Sequence, residues 1–146
     1  MLIKQISVFL ENRRGRLAEA TQILGKREIN ISALCVADTA DYGVLRLIVN
    51  KPQEATAALR EGGFTVRETD VIAIAINDSP GGLNLVLKTL EEARVSVEYI
   101  YAFAMRRHNQ NQALAVFKVG NNQDALTALN NSGIEIAKPD EVYQIN

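Results

Sequence analysis

The sequence aligns with itself, so whatever the chain folds into must accept the same plan twice. Glu11-Asn12-Arg13-Arg14-Gly15-Arg16-Leu17 lies over Asn77-Asp78-Ser79-Pro80-Gly81-Gly82-Leu83 at an offset of 66 residues (81 − 15). Ile29-Asn30-Ile31-Ser32 lies over Val95-Ser96-Val97-Glu98 at the same offset. Farther on, Ala55, Ala58, Leu59, Gly63 and Phe64 fall on Ala125, Ala128, Leu129, Gly133 and Ile134 at an offset of 70 (125 − 55). The second copy therefore holds four extra residues, most simply in the polar stretch Arg106-Arg107-His108-Asn109-Gln110-Asn111-Gln112. The boundary is expected near Asp70, which gives domains at residues 1–70 and 71–146 of the 146-residue chain.

Hydrophobic periodicity assigns the same elements to both copies. Ile6, Val8 and Leu10, and then Ile72, Ile74 and Ile76, alternate with other residues at the period of two that marks a strand. Leu17, Ala20, Thr21 and Leu24, and then Leu83, Val86, Leu87 and Leu90, follow the spacing of one helix face, each stripe starting just after a glycine turn. Paired β-rich runs come next, at residues 29–37 with 44–49 and at 95–104 with 113–119. Asp38-Thr39-Ala40-Asp41 is the shorter of the two connecting turns. Pro52 suits the first turn of a helix that stops at Gly62-Gly63, and the matching helix is expected over residues 122–132. Residues 64–69 and 134–137 read as the last strands, and residues 140–145 as a short ninth strand after Pro139. The plan is βαββαβ twice, an α+β chain of two tandem ferredoxin-like units in which helices cover one face of an antiparallel sheet.

Composition narrows the function. Hydrophobic residues make up 47% and charged residues 23%, which suits a chain that buries a core rather than a disordered one. A net charge of −1 supplies no electrostatic footprint for a phosphate backbone, so no nucleic-acid partner is expected. Val71 to Ile76, the longest purely apolar run, is far short of the roughly 20 residues of a membrane span, and the N-terminus lacks the apolar stretch of a signal peptide. A cytoplasmic location and no membrane association are expected. One histidine, His108, and one cysteine, Cys35, leave too few ligands for the usual zinc site and no base outside a polar stretch that reads as a hairpin tip. No metal, cofactor or catalytic residue is expected, and Cys35 reads as a small buried hydrophobe.

The turn between first strand and first helix carries the chemistry. A helix that opens on glycine leaves its first N–H groups exposed, and the macrodipole adds partial positive charge there, which suits a carboxylate. Gly15, Arg16 and Leu17 supply those donors in the first unit, and Gly81, Gly82 and Leu83 in the second. Asn12 and Asn30, or Asp78 and Ser96, offer side-chain oxygens to an ammonium group. Asn30 opens a strand remote from its own unit's turn, so a shared ligand would require a second unit facing the first. The plainer reading makes Asn12 and Asp78 helix caps and gives the glycines only the turn to form. Arg13, Arg14 and Arg16 read as a solvated basic turn, with the binding of an acidic group as the alternative, and Glu91-Glu92 reads as a solvated helix face. Tyr99, Tyr101 and Phe103 project to one face opposite Ala33, Cys35 and Ala37 in the repeat. They read as sheet core, with an interface or a ligand wall as alternatives.

These residues carry a resemblance. Asn or Asp three residues before a glycine, Leu two after it, and a following strand that opens in Asn-Ile, within a βαββαβ unit, resemble the ACT domain, the small-molecule-sensing module of amino-acid metabolism. Glu11-Asn12-Arg13-Arg14-Gly15 with Asn30 is similar to the serine-binding regulatory domain of phosphoglycerate dehydrogenase, although Leu10 stands where that domain carries a ligand-binding histidine and Arg14 replaces a proline. Asp78-Ser79-Pro80-Gly81 is the commoner form of the turn. The resemblance implies a homodimeric, non-catalytic regulatory protein that binds a free amino acid between units and acts on a separate amino-acid-metabolism enzyme. A subunit that binds only a protein partner is the alternative.

Overall fold

The structure, a computed structural model, describes residues 1–38, 41–103 and 111–143. The expected polar tip at residues 106–110, with His108, lies outside the described residues, as does the centre of the turn at residues 39–40. The elements run β1 (Ile3–Glu11), α1 (Arg16–Lys26), β2 (Ile31–Asp38), β3 (Tyr42–Val49), α2 (Pro52–Glu61), β4 (Thr65–Asn77), α3 (Gly82–Glu92), β5 (Val97–Ala102), β6 (Gln112–Val119), α4 (Asn122–Asn131) and α5 (Pro139–Tyr143). They form two compact units, residues 4–69 with Tyr143 and residues 1–3 with 70–142.

In the N-terminal unit the strand order is β2-β3-β1-β4, with Ile6 opposite Leu47 and Val8 opposite Leu45 across the antiparallel β1/β3 pair. Alternation sends Ile6, Val8, Leu10, Leu45, Leu47 and Val49 to the helix side, where they bury against Ala20 and Leu24 of α1 and Ala55 and Leu59 of α2. The C-terminal unit repeats this with β4-β6-β5. Ile72, Ile74, Phe117 and Val119 pack against Val86 and Leu90 of α3 and Ala125 and Leu129 of α4. These are the two ferredoxin-like units that the repeat implies.

The repeat is also written in the backbone. Positive φ angles recur at Gly15 and Gly81 (90° and 87°), Glu28 and Arg94 (53° and 60°), and Gly63 and Gly133 (87° and 69°). Strand β2 shifts register between Ile31 and Ala33, and β5 does so between the aligned Val97 and Tyr99. Each of α1 to α4 ends in the same way. The N–H of Ile29, Phe64, Val95 or Ile134 reaches back to the carbonyl of Leu24, Leu59, Leu90 or Leu129, at 2.9–3.0 Å. The residue before it donates to the carbonyl one position on, which is the Schellman motif with its apolar contact. Glycine takes the left-handed position in α2 and α4, as the sequence suggests. In α1 and α3 that position falls to Glu28 and Arg94, whose strain the paired bonds offset.

Three expectations are corrected. Residues 64–69 and 72–76 are not separate strands but parts of the single strand β4, because neither Gly nor Pro interrupts Thr65 to Asn77 and Asp70 alone does not break it. Residues 134–137 do not form a strand: contact with β4 is reduced to a bridge between Ile74 and Ile136, with Ala75 N–H on Glu135 O at 3.0 Å and Ala137 N–H on Ala73 O at 2.9 Å. The described part of the segment expected as a ninth strand, residues 140–143, is helical, and residues 144–145 lie outside the described residues. Pro139 opens α5, Asp140 and Glu141 occupy its first turn, and Glu141 Oε2 accepts the Lys138 N–H at 3.0 Å, so every local signal there is a helix start.

The aromatic row is sheet-bound on the side away from the helices. Ile100 packs into the helix-side core, so its neighbours Tyr99 and Tyr101 face the other way. Tyr101 and Phe103 are buried, and the Tyr99 and Tyr101 rings stack with centroids 6.5 Å apart. Cys35 is half-buried rather than enclosed. Among the described residues no helix is long and apolar enough to cross a membrane.

Candidate functional site

Both strand-to-helix turns are built from the same pair of backbone bonds. Arg13 N–H donates to Glu11 O at 2.7 Å and Arg16 N–H to Arg13 O at 3.3 Å; Ser79 N–H donates to Asn77 O at 2.9 Å and Gly82 N–H to Ser79 O at 3.0 Å. The chain then enters the helix through a left-handed residue, Gly15 or Gly81. A side chain at that φ is strained, which explains glycine at both positions. Asn12 and Asp78 stand three residues ahead of these N-cap positions, and the glycines bring no capping side chain of their own. The N–H groups of Arg16 and Gly82 are taken by the turn, so the donors left facing outward in the first helical turn begin at Leu17 and Leu83.

A hollow opens beside each turn, of about 270 Å³ in the N-terminal unit and about 460 Å³ in the C-terminal unit. The two are made from the same positions of the repeat. Leu10, Glu11, Asn12, Arg13, Leu17 and Val36 recur in the second hollow as Ile76, Asn77, Asp78, Ser79, Leu83 and Ala102 at the offset of 66, and Gly43 recurs as Ala113 at the offset of 70. Leu17 and Leu83 begin the apolar stripe of their helices, yet they are 42% and 43% exposed. The stripe thus starts at the hollow and buries only from Ala20 and Val86 onward.

Not every sequence-predicted residue meets there. Asn12, Arg16 and Leu17 line the first hollow and Asp78 and Leu83 the second, with Gly15 and Gly81 setting the turns. Asn30 lies elsewhere: its N–H donates to Asn50 Oδ1 at 3.0 Å, and its carbonyl accepts the Asn50 N–H at 3.2 Å. The Ser96 carbonyl likewise accepts the Gly120 N–H at 2.9 Å. Gly82 lines a further hollow on the other side of the α3 start, with Gly133 and Glu135. Its aligned counterpart in the N-terminal unit is lined by Arg16, Gly63 and Thr65. The wall residues Val36, Tyr42 and Gly43 of the first hollow and Ala102 and Ala113 of the second carry no signal of their own in the sequence, though the two repeat offsets relate Val36 to Ala102 and Gly43 to Ala113.

Arg16 is the main electrostatic surprise. Its side chain is only 11% exposed, with the guanidinium 4.0 Å over the Phe64 ring, Nη1 on Glu19 Oε2 at 2.7 Å and Nη2 at 3.9 Å from Glu11 Oε1. It is thus not part of a solvated basic turn, whereas Arg13 and Arg14 are exposed. The aligned position in the C-terminal unit is Gly82, so one turn is braced by a cation over an aromatic ring and the other has no side chain at all. Among the described residues no group of three or more His, Cys, Asp or Glu could hold a metal ion.

Comparison with known proteins bears on the whole length. A family model described as an ACT domain pair matches residues 1–145. The crystal structure of protein BT0572 from Bacteroides thetaiotaomicron superposes with a TM-score of 0.92 at 39% identity, covering 99% of this chain and 98% of that one. The ligand-free regulatory subunit of aspartate kinase from Thermus thermophilus shares the fold, with a TM-score of 0.62 at 16% identity over 90% of this chain and 93% of its own. The corresponding subunit from Thermus flavus gives 0.60 at 16% identity over 89% and 92%. A search of curated protein sequences found no match.

Proposed function

Because this chain belongs to the ACT domain pair family, we propose that it is a non-catalytic, cytoplasmic regulatory protein that binds a free amino acid, or a close analogue, and modulates a separate enzyme of amino-acid metabolism. The observation that carries this reading is the recurrence of one hollow, at aligned positions, beside both glycine turns. A carboxylate meets partial positive charge and outward N–H groups at the start of α1 or α3. An ammonium group meets the Asn12 amide oxygen or the Asp78 carboxylate. The aspartate kinase chains from Thermus that share this fold are regulatory subunits, and that role is extended to this chain as part of the proposal.

Regulation requires that the ligand favour one of two arrangements over the other. A second copy supplies such an arrangement. Strand β2 is at the end of its unit's strand order, and Leu34 (50%) and Val36 (44%) are exposed along it. An unpaired edge with an apolar row invites another edge. Antiparallel joining of two β2 strands would cover that row and roof the hollow that Val36 borders. Leu34→Glu should therefore lower self-association in sedimentation velocity while leaving the melting temperature within a few degrees of wild type. Unchanged association would remove β2 as the dimer edge.

A thermal-shift screen against the twenty amino acids tests the binding itself. A ligand at a hundred times its Kd stabilises the native state by about 2.7 kcal/mol, which for a chain of this size raises Tm by roughly 5–10 °C. At least one amino acid should give such a shift, and Asn12→Ala combined with Asp78→Ala should abolish it. If none of the twenty shifts Tm at millimolar concentration, the partner-binding subunit becomes the better reading.

A further inference from the structure

The two hollows occupy the same repeat positions but are lined by different chemistry. Resting on the amino-acid-binding reading above, we infer that the hollow of the C-terminal unit selects a branched aliphatic amino acid, and that the hollow of the N-terminal unit does not.

Where the N-terminal hollow has Arg13, the C-terminal one has Ser79, and where Arg16 lines the first, Gly82 leaves nothing. Among the described residues no cation lines the C-terminal hollow, and Asp78 is the one charged group there, the natural partner of an α-ammonium. With the carboxylate at the start of α3, and with Asn77 and Ser79 beside it in the turn, the wall away from the turn that remains for the ligand's side chain is apolar and includes Ile76, Leu83, Ile100, Ala102, Ala113 and Ala115. None of these side chains can donate or accept a hydrogen bond, so a polar or charged ligand side chain would be desolvated there without compensation. An aliphatic one gains about fourfold in affinity per buried methylene. The three alanines leave room against that wall, and the hollow is the larger of the pair, about 460 Å³ against about 270 Å³. In the N-terminal hollow Arg13, Arg16 and Glu11 put charged groups on the wall, which makes it a poor surface for burying an aliphatic side chain.

Isothermal titration calorimetry on the full chain tests this with valine, leucine and isoleucine against alanine and aspartate. The branched ligands should bind at one site per chain and at least tenfold more tightly than alanine, with aspartate weaker still at that site. Ser79→Arg, on an exposed turn, imports the cation of the other unit and should weaken branched-ligand binding at least tenfold. Ala113→Phe fills the half-exposed wall and should do the same; circular dichroism melts establish that both variants are folded. Equal affinity for leucine, alanine and aspartate would overturn the inference while leaving amino-acid binding intact. So would undiminished leucine binding in both folded variants. Failure of all twenty amino acids to bind would overturn the underlying reading and this one with it.

Discussion

Gly82→Ala is expected to destabilise the protein by about 3 kcal/mol or more, at the upper end of the usual cost of overpacking, and to lower Tm by roughly 6–12 °C. A Cβ built on Gly82 falls 2.0 Å from the backbone oxygen of Asn77 and 3.0 Å from its carbonyl carbon, with Ile76 Cγ2 at 3.4 Å. The obstacle is backbone, and it is pinned: Asn77 O accepts the Ser79 N–H at 2.9 Å, and Ser79 O accepts the N–H of Gly82 itself. No rotamer change relieves the clash, so the turn must open, and the C-terminal hollow beside it should be lost too. Arg16→Ala at the aligned position meets no such obstacle. It removes a cation over Phe64 and a partly exposed pair with Glu19, a loss of about 1 kcal/mol. Urea titration of both variants decides the matter. Near-wild-type stability for Gly82→Ala would mean that the second turn is less tight than described, with room for a Cβ as the first has at Arg16.

Phe117→Ala is expected to cost about 3–5 kcal/mol, the range for removing a buried aromatic ring, and to lower Tm by roughly 10 °C or more. Phe117 is fully buried, stands opposite Ile72 on β4 and Ile100 on β5, and belongs to the cluster that Val86, Leu90, Ala125 and Leu129 close from the helix side. Its repeat counterpart is Leu47, also fully buried, so the ring that the C-terminal core carries at Phe117 is carried in the N-terminal core at a different position, Phe64, which aligns with Ile134. Neighbours that close around the missing ring bring the cost toward the lower end. A drop of less than about 1 kcal/mol would show that the ring is not central to this core.

The parts of the molecule that were legible in the sequence are those set by local chemistry read twice. The alternation of Ile6, Val8 and Leu10, the stripe from Leu17 to Leu24, Pro52 at a helix start and Gly62-Gly63 at its end each name an element with its physical cause, and each recurs. Less legible were features that depend on neighbours distant in sequence. Glu28 and Arg94 carry the left-handed φ usually given to glycine, because the Schellman bonds and the docking of Ile29 and Val95 outweigh the strain. Arg16 reads as solvated until Phe64 is seen beneath it. Asn30 and Ser96 look like partners of the turn by spacing, yet each is tied to the segment after β3 or β6. Val36 and Ala102 show no functional signal by themselves, since only strand pairing carries them to the hollow.

The central claim is that the two glycine turns and the hollows beside them hold a free amino acid. Its most direct test is a ¹⁵N-amide NMR titration of the full chain with an amino acid that shifts Tm. The largest chemical-shift changes should fall on Gly15, Leu17 and Val36 or on Gly81, Leu83 and Ala102, following one saturable curve. Changes centred instead on Thr65 or Gly133, beside the other pair of hollows, or no saturable change at all, would contradict the assignment.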